Sequence, residues 1–191
     1  MHRLSTSFVL GYHGCDATVA EQLLAGAAFK HSTNIYDWLG HGIYFWEGNP
    51  RRGLEFAKEA MSRNSNITKP AVIGAVIDLG LCLDLTTSLG IANVRTAYEA
   101  YIVIVGRSGN PPPKNSGDLL RRQLDCAVIQ CLHDVRDDMK EPPIDSVKGL
   151  FLEGKPIYET AGFHEKTHIQ ICVRKAENIK GVFRVPAAAL T

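Results

Sequence analysis

Residues 7–13 (SFVLGYH) form a short apolar run that reads as a buried strand, and Asp16 then stands as the N-cap of a helical pattern over 17–25 that stops at Gly26. Residues 27–40 are polar and turn-rich. The run HGIYFW at 41–46, aromatic and β-branched between Gly40 and Gly48, predicts a second strand. Asn49 followed by Pro50 matches an N-cap with proline at the first helical position. Leu54, Ala57 and Met61 then recur at helical spacing, which predicts a helix over 50–61. AVIGAVIDL at 71–79 is a near-continuous apolar strand, and mixed apolar spacing over 91–105 predicts a helix. Residues 106–117, with prolines at 111–113, read as an exposed loop. Leu120, Leu124, Ala127, Val128, Cys131 and Val135 mark the buried stripe of a further helix. Asp134, Asp137 and Asp138 near its end oppose the macrodipole, so that end is expected to fray or bend into the next loop. Pro142 and Pro143 close the helical region, and 147–152, 168–173 and 181–185 read as three more strands. Strands first, helices inserted and strands last describe an α+β domain.

Composition narrows this picture. A chain of 191 residues suffices for one domain with a sizeable core, and 45% apolar with 21% charged residues excludes disorder and coiled coil as the main state. Twenty-one Lys and Arg against twenty Asp and Glu leave a formal charge of +1, so no global field draws the protein to nucleic acid or to an acidic membrane. Five widely spaced cysteines, Cys15, Cys82, Cys126, Cys131 and Cys172, include no C-x-x-C pair and no zinc-like histidine spacing. They predict a reduced, cytoplasmic protein without structural zinc. No window approaches the ~20 apolar residues of a membrane span, and neither a signal peptide nor a transmembrane helix is expected.

Three places carry candidate chemistry. Tyr12-His13-Gly14 closes the first expected strand, where a lone histidine beside glycine is ordinarily a turn residue. Gly40-His41-Gly42-Ile43-Tyr44-Phe45 brackets a strand with glycines that let backbone approach a ligand, although a tyrosine there is ordinarily core. In Thr167-His168-Ile169-Gln170-Ile171-Cys172-Val173, alternation puts His168, Gln170 and Cys172 on one face, which is expected to meet solvent or line a cleft.

YHG, then GHGIYF with a helix after it, then a long apolar third strand and THIQICV near the C-terminus resemble the ADP-ribosyltransferase fold. The nearest class is that of poly(ADP-ribose) polymerases and diphtheria-type toxins, with a His-Tyr-Glu triad. The resemblance spans roughly residues 9–184. It implies an α+β fold with a split β-sheet core and peripheral helices, over a single domain 1–191 with a helical insertion at about 85–143. It also implies NAD as the ADP-ribose donor. His13 would hold the adenine-side ribose hydroxyl, the backbone of Gly14 would bond the nicotinamide carboxamide, and Tyr44 would stack on the nicotinamide ring with Phe56 as the second aromatic. Ser32 and Asn34, with His31 and Asp37, lie where the family's donor loop covers NAD. The family's serine falls on Gly53, so one bond to the carboxamide is missing.

Gln170 stands at the position of the family's glutamate. Glutamine can orient the 2′-hydroxyl but brings no negative charge to the oxocarbenium-like transition state. The loss of one strong electrostatic group corresponds to about 3–4 kcal/mol, or a rate loss of roughly 10²–10³. Glutamine is also no general base, so the acceptor must be a good nucleophile or bring its own base. Glu165 and Glu159, in the loop before the strand, are alternative carboxylates, and polymer elongation is not expected. The resemblance thus implies a mono-ADP-ribosyltransferase of the size of a bacterial toxin or phage-defence effector, with an antitoxin or immunity partner. NAD glycohydrolysis and non-catalytic NAD or ADP-ribose binding are the alternatives. The acceptor stays open between nucleic acid and protein. Arg107, Lys114, Arg121 and Arg122, opposed only by Asp118, and Lys166, Arg174, Lys175, Lys180 and Arg184, opposed only by Glu177, are either solvated surface or phosphate contacts.

Overall fold

The computed structural model describes residues 8–63, 66–117 and 120–190. It is a mixed α+β fold in which seven strands form one open sheet and four helices pack on it. Along the chain these are β1 (Phe8–Asp16), α1 (Ala17–Leu24), β2 (Ile43–Glu47), α2 (Pro50–Ser62), β3 (Pro70–Asp78), β4 (Cys82–Asp84), α3 (Ser88–Ser108), α4 (Gln123–Asp138), β5 (Ser146–Phe151), β6 (His168–Val173) and β7 (Ile179–Arg184). The strand order is β4-β5-β6-β2-β1-β3-β7. The β4–β5 pair is parallel and every other pair antiparallel.

Several boundaries depart from the sequence reading for identifiable reasons. β1 runs on to Asp16, because its pairing with β3 continues to Asp16↔Pro70, so Tyr12-His13-Gly14 lies inside a strand rather than at its end. Ser7 and Asp118 lie outside the described residues. Asp16 does cap α1, accepting from the Thr18 N–H, and its carboxylate also accepts from the N–H groups of Thr68 and Lys69, which tie the entry of β3 to the end of β1. Asn49 caps α2 through the Arg52 N–H at 3.0 Å.

α3 begins earlier and ends later than 91–105. Thr87 accepts from the Gly90 N–H as its N-cap, and the helix continues through Gly106 to a left-handed Gly109 at φ +72°. The end of α4 is pinned rather than frayed: Arg136 in its last turn donates to the Pro142 carbonyl at 2.8 Å and pairs with Glu141 at 2.5 Å. β4 has only three residues and no pattern of its own, and its partner β5 lies some sixty residues on. β7 starts at Ile179, and its ladder with β3 shifts register between Val76 and Ile77.

The two faces of the sheet bury different clusters. Ile43, Phe45, Ala75, Ile77, Ile171 and Val173 pack on one face, with Phe29 over them. On the other, Leu39, Val128, Ile129, Leu132, Val147 and Cys172 join the sheet to α4, so the 85–143 segment that carries α3 and α4 covers the β5–β6–β2 side. The polar face expected on β6 is therefore not solvated: His168 and Cys172 are buried beneath side chains.

Candidate functional site at the fork between β1 and β2

The first and second strands part within the sheet. Their register is Gly11↔Glu47 and Tyr12↔Trp46, and it ends there, while β1 keeps pairing with β3 along its whole length. The Leu10 carbonyl accepts from the Gly48 N–H at 2.9 Å, so by two-residue alternation the backbone groups of Tyr12 and Gly14 also point toward β2. The rung after Tyr12–Trp46 would join Gly14 to Tyr44. Instead the carbonyl of Tyr44 is bound to Nδ1 of His13 at 2.9 Å. A carbonyl only accepts, so Nδ1 carries the proton and Nε2 is left as an acceptor. Burial holds the His13 pKa below the ordinary imidazole value, which keeps the ring neutral.

Residues opposed across antiparallel strands share a face. Tyr44↔Cys172 and Trp46↔Gln170 therefore place Tyr44, Trp46, Gln170 and Tyr12 on one face, and His13 on the other. The His13 ring accordingly lies against Phe29 and Phe45, at centroid distances of 5.5 and 5.6 Å. The structure thus brings the three expected triad residues to neighbouring strands but does not converge their side chains. The Tyr44 hydroxyl donates to the Gly40 carbonyl at 2.7 Å and accepts from the Leu39 N–H at 3.1 Å. Oε1 of Gln170 accepts from the indole Nε1–H of Trp38 at 2.6 Å. A residue from the 31–42 loop, which sequence reading did not single out, thus fixes the amide that stands in place of a carboxylate.

Phe56 packs against Trp46 with ring centroids 4.8 Å apart and the planes tilted by 43°. The aromatic pair at the fork is therefore Trp46–Phe56 and not Tyr44–Phe56, because α2 crosses the Trp46 end of β2 and places Gly53 against Tyr12, Trp46 and Val72. Gly14 has its own reason to be glycine: a Cβ there would sit 2.0 Å from the Gly53 carbonyl oxygen, so α2 closes on the strand at this point. Gly42 is similarly packed against Cys172 and Val173 of β6 rather than open to a ligand.

Beside Trp46 the structure assembles charges that are scattered in sequence. Arg52, 4% exposed, pairs with Glu153 at 2.8 Å and Glu59 at 3.3 Å, and Lys166 joins both carboxylates. His168 donates from Nδ1 to the Lys166 carbonyl at 2.6 Å, and its pKa is lowered by burial. Its Nε2, an acceptor, and the Nε1–H of Trp46, a donor, are buried with no hydrogen-bond partner among the described residues. Glu165 and Glu159 are exposed, and Glu165 accepts from the Lys155 N–H within its own loop. The carboxylates that act on the start of β6 are Glu59 and Glu153.

In the donor-loop segment, the Ser32 hydroxyl accepts from the Asn34 side chain at 2.8 Å, Ser32 bridges Gly42 through its backbone, and Asp37 accepts from the Asn34 N–H. The basic stretches are more balanced than the sequence suggests. Arg184 pairs with Glu21, Lys175 with Asp145 and Lys166 with Glu59, all partners distant in sequence. Arg122 lies over Trp38 at 5.1 Å and Phe151 at 4.6 Å instead of standing free, and Arg121 lies over Tyr36. A largely apolar cavity of about 470 Å³ between α3 and α4 has Trp38 as one wall, so the indole that holds Gln170 also bounds that cavity.

All five cysteines are free and burial raises their thiol pKa values, to about 11 for Cys15 and Cys126, which makes none of them a poised nucleophile. Among the described residues no cluster of His, Cys, Asp or Glu is arranged to hold a metal ion, and no helix is long and apolar enough to cross a membrane. Comparison with protein-family models, curated proteins and solved structures finds no match.

Proposed function

We propose that this chain binds NAD at the β1–β2 fork and transfers a single ADP-ribose unit to a macromolecular acceptor, as the resemblance of YHG, GHGIYF and THIQICV to the His-Tyr-Glu ADP-ribosyltransferases implies. The observation that carries this reading is the interrupted ladder. The N–H and C=O of Gly14 point across the fork beside a neutral His13 with an acceptor Nε2. One donor and one acceptor on the same residue, pointing the same way, suit a carboxamide, and an imidazole acceptor suits a ribose hydroxyl. Trp46 and Phe56 supply apolar aromatic surface on the face that Gln170 shares.

In this reading the bond between ribose C1′ and the nicotinamide nitrogen breaks, and its electron pair leaves with neutral nicotinamide. The acceptor nucleophile forms the new bond to C1′ and releases its proton to solvent or to a base of its own. Gln170, with Oε1 on Trp38, has its Nε2 donor for the 2′-hydroxyl, and it holds no charge for the developing cation. The biological role we attach is that of a bacterial toxin or phage-defence effector acting in the cytoplasm, held in check by an antitoxin or immunity partner. Incubation of the chain with labelled NAD and protein, RNA or DNA tests the reading. Label on one polymer supports transfer, free ADP-ribose supports glycohydrolysis, and intact NAD rejects both.

A second reading, non-catalytic binding of NAD or ADP-ribose, is favoured by a specific observation. The Gln170 carbonyl oxygen and the Tyr44 hydroxyl are both already satisfied inside the protein. Binding of NAD by calorimetry without turnover distinguishes it.

A further inference from the structure

A polar cavity of about 260 Å³ lies beside the segment that leads into β2, lined by His31, His41, Gln130, Ile144, Arg174 and Lys175 together with Pro143. Its walls come from four separate parts of the chain: the 31–42 loop, α4, the segment before β5 and the turn after β6. Two bonds make it a built site. Gln130 Oε1 accepts from the His41 N–H at 3.0 Å, and Arg174 Nη1 donates to the Ile144 carbonyl at 2.8 Å. Among the described residues no carboxylate lines the cavity, and Asp145 beside it is already ion-paired with Lys175 at 2.5 Å and accepts from the Leu81 N–H at 2.9 Å. Two cations and two imidazoles therefore face one committed anion.

The positive field of this wall is also felt behind it, on α4. His133 follows Gln130 by three residues, on the same stripe of the helix, and is 3% exposed. Neither of its ring nitrogens has a hydrogen-bond partner among the described residues, and the charges that act on it come from Arg174, Arg136 and His41. His133 is not itself a lining residue, but Arg174, the first of the charges that act on it, is, so the same guanidinium sets a positive potential on both sides of this wall.

We propose that this cavity is a phosphate-recognition site, which takes a phosphate or pyrophosphate group either as the free ion or at the end of a ligand whose remainder stays outside. Its volume is just under the usual range of about 300–1,000 Å³ for whole small-molecule pockets. Donors that converge from several chain segments match a tetrahedral group with several acceptor oxygens better than a planar carboxylate. The site is separate from the β1–β2 fork and does not rest on the NAD reading.

Calorimetric titration of the full chain with inorganic pyrophosphate, inorganic phosphate and ADP tests it, with the imidazole resonances of His31 and His41 followed by NMR in parallel. Saturable one-to-one binding of pyrophosphate is expected, with both histidine rings shifting and affinity falling at least tenfold in H31A/R174Q. ADP bound as tightly as pyrophosphate identifies a nucleotide as the carrier, and pyrophosphate bound with ADP excluded identifies the free ion. No saturable binding at millimolar pyrophosphate, or binding that leaves both ring signals unmoved, overturns the proposal even if the double variant fails to fold. Because pyrophosphate has no nicotinamide, these outcomes are independent of whether NAD is cleaved.

Discussion

Nδ1 of His13 holds the carbonyl of Tyr44 at 2.9 Å, and this one bond spans the place where β1 and β2 separate. It substitutes a side chain for a backbone rung, and so the ring both props the fork open and satisfies the Tyr44 carbonyl that the opening would leave without a partner. His13→Ala removes the prop and a ring packed against Phe29 and Phe45. The expected loss is about 2–4 kcal/mol of stability, from one hydrogen bond and a core truncation. Denaturant titration reads it. NAD affinity measured below the unfolding transition should fall as well, and full-strength binding by a folded His13→Ala protein would remove this histidine from the proposed site.

Gly14→Ala tests the closure of α2 on β1. With the added methyl 2.0 Å from the Gly53 backbone, α2 must move, at a cost of about 1–3 kcal/mol. A Gly14→Ala protein with an unchanged unfolding midpoint would mean that the helix is not seated as described.

The Tyr44 hydroxyl separates structural from ligand roles. Tyr44→Phe keeps the ring but leaves the Gly40 carbonyl and the Leu39 N–H without it, for an expected loss of about 1–2 kcal/mol. If the ring stacks on nicotinamide, affinity for nicotinamide stays within about twofold in Tyr44→Phe and drops in Tyr44→Leu. Equal affinity in both variants assigns the residue to the core.

Acid should weaken the fold early. His13, His168 and His133 all have pKa values below the ordinary 6.5, each chiefly through burial, and His133 is brought down to about 3. A folded-state pKa below the unfolded one means that the unfolded chain binds more protons, so this stability is present above about pH 6.5 and is lost as pH falls. For His133 alone the loss between pH 6.5 and 5 is about 2 kcal/mol. The slope of unfolding free energy against pH over that interval should flatten by about one proton in His133→Leu. An unchanged slope would show that this ring is not neutral in the fold.

The legible part of the molecule was what local pattern determines. The caps at Asp16 and Asn49, the span of β6 and the apolar third strand all follow from residues a few positions apart. What escaped depends on long-range partners. β4 is a strand only because β5 pairs with it, and Trp38 matters only because its indole meets Gln170 132 residues later. The same holds for Arg52, an ordinary helix-face cation in sequence, whose burial between Glu59 and Glu153 needs the loop before β6. Facing was half legible. Alternation correctly grouped His168, Gln170 and Cys172, but that this face is covered depends on α4 and the 31–42 loop.

Gln170 decides between an enzyme and a binding module, and its bond to Trp38 makes the decision testable from two sides. Gln170→Glu keeps an acceptor for the indole N–H and adds a negative charge, so the contact should survive and even shorten. In a transferase that charge stabilises the developing cation, and NAD cleavage should hold or rise, by up to roughly 10²–10³ where electrostatics limits the rate. Gln170→Ala removes the orienting amide, and turnover should then fall more than NAD affinity, because orientation counts most as the glycosidic bond breaks. Trp38→Phe leaves the amide in place but unheld. A positioning role for the indole therefore predicts a lower single-turnover rate at nearly constant NAD affinity, and the Gln170→Glu change should rescue part of it. A binding module gives another pattern: neither the wild type nor any of these variants turns over NAD, and Gln170→Ala binds it as well as the wild type. Turnover that survives Gln170→Ala undiminished would move the catalytic role off this strand position, and the next carboxylates to substitute are Glu59 and Glu153, which the fold already brings to its start.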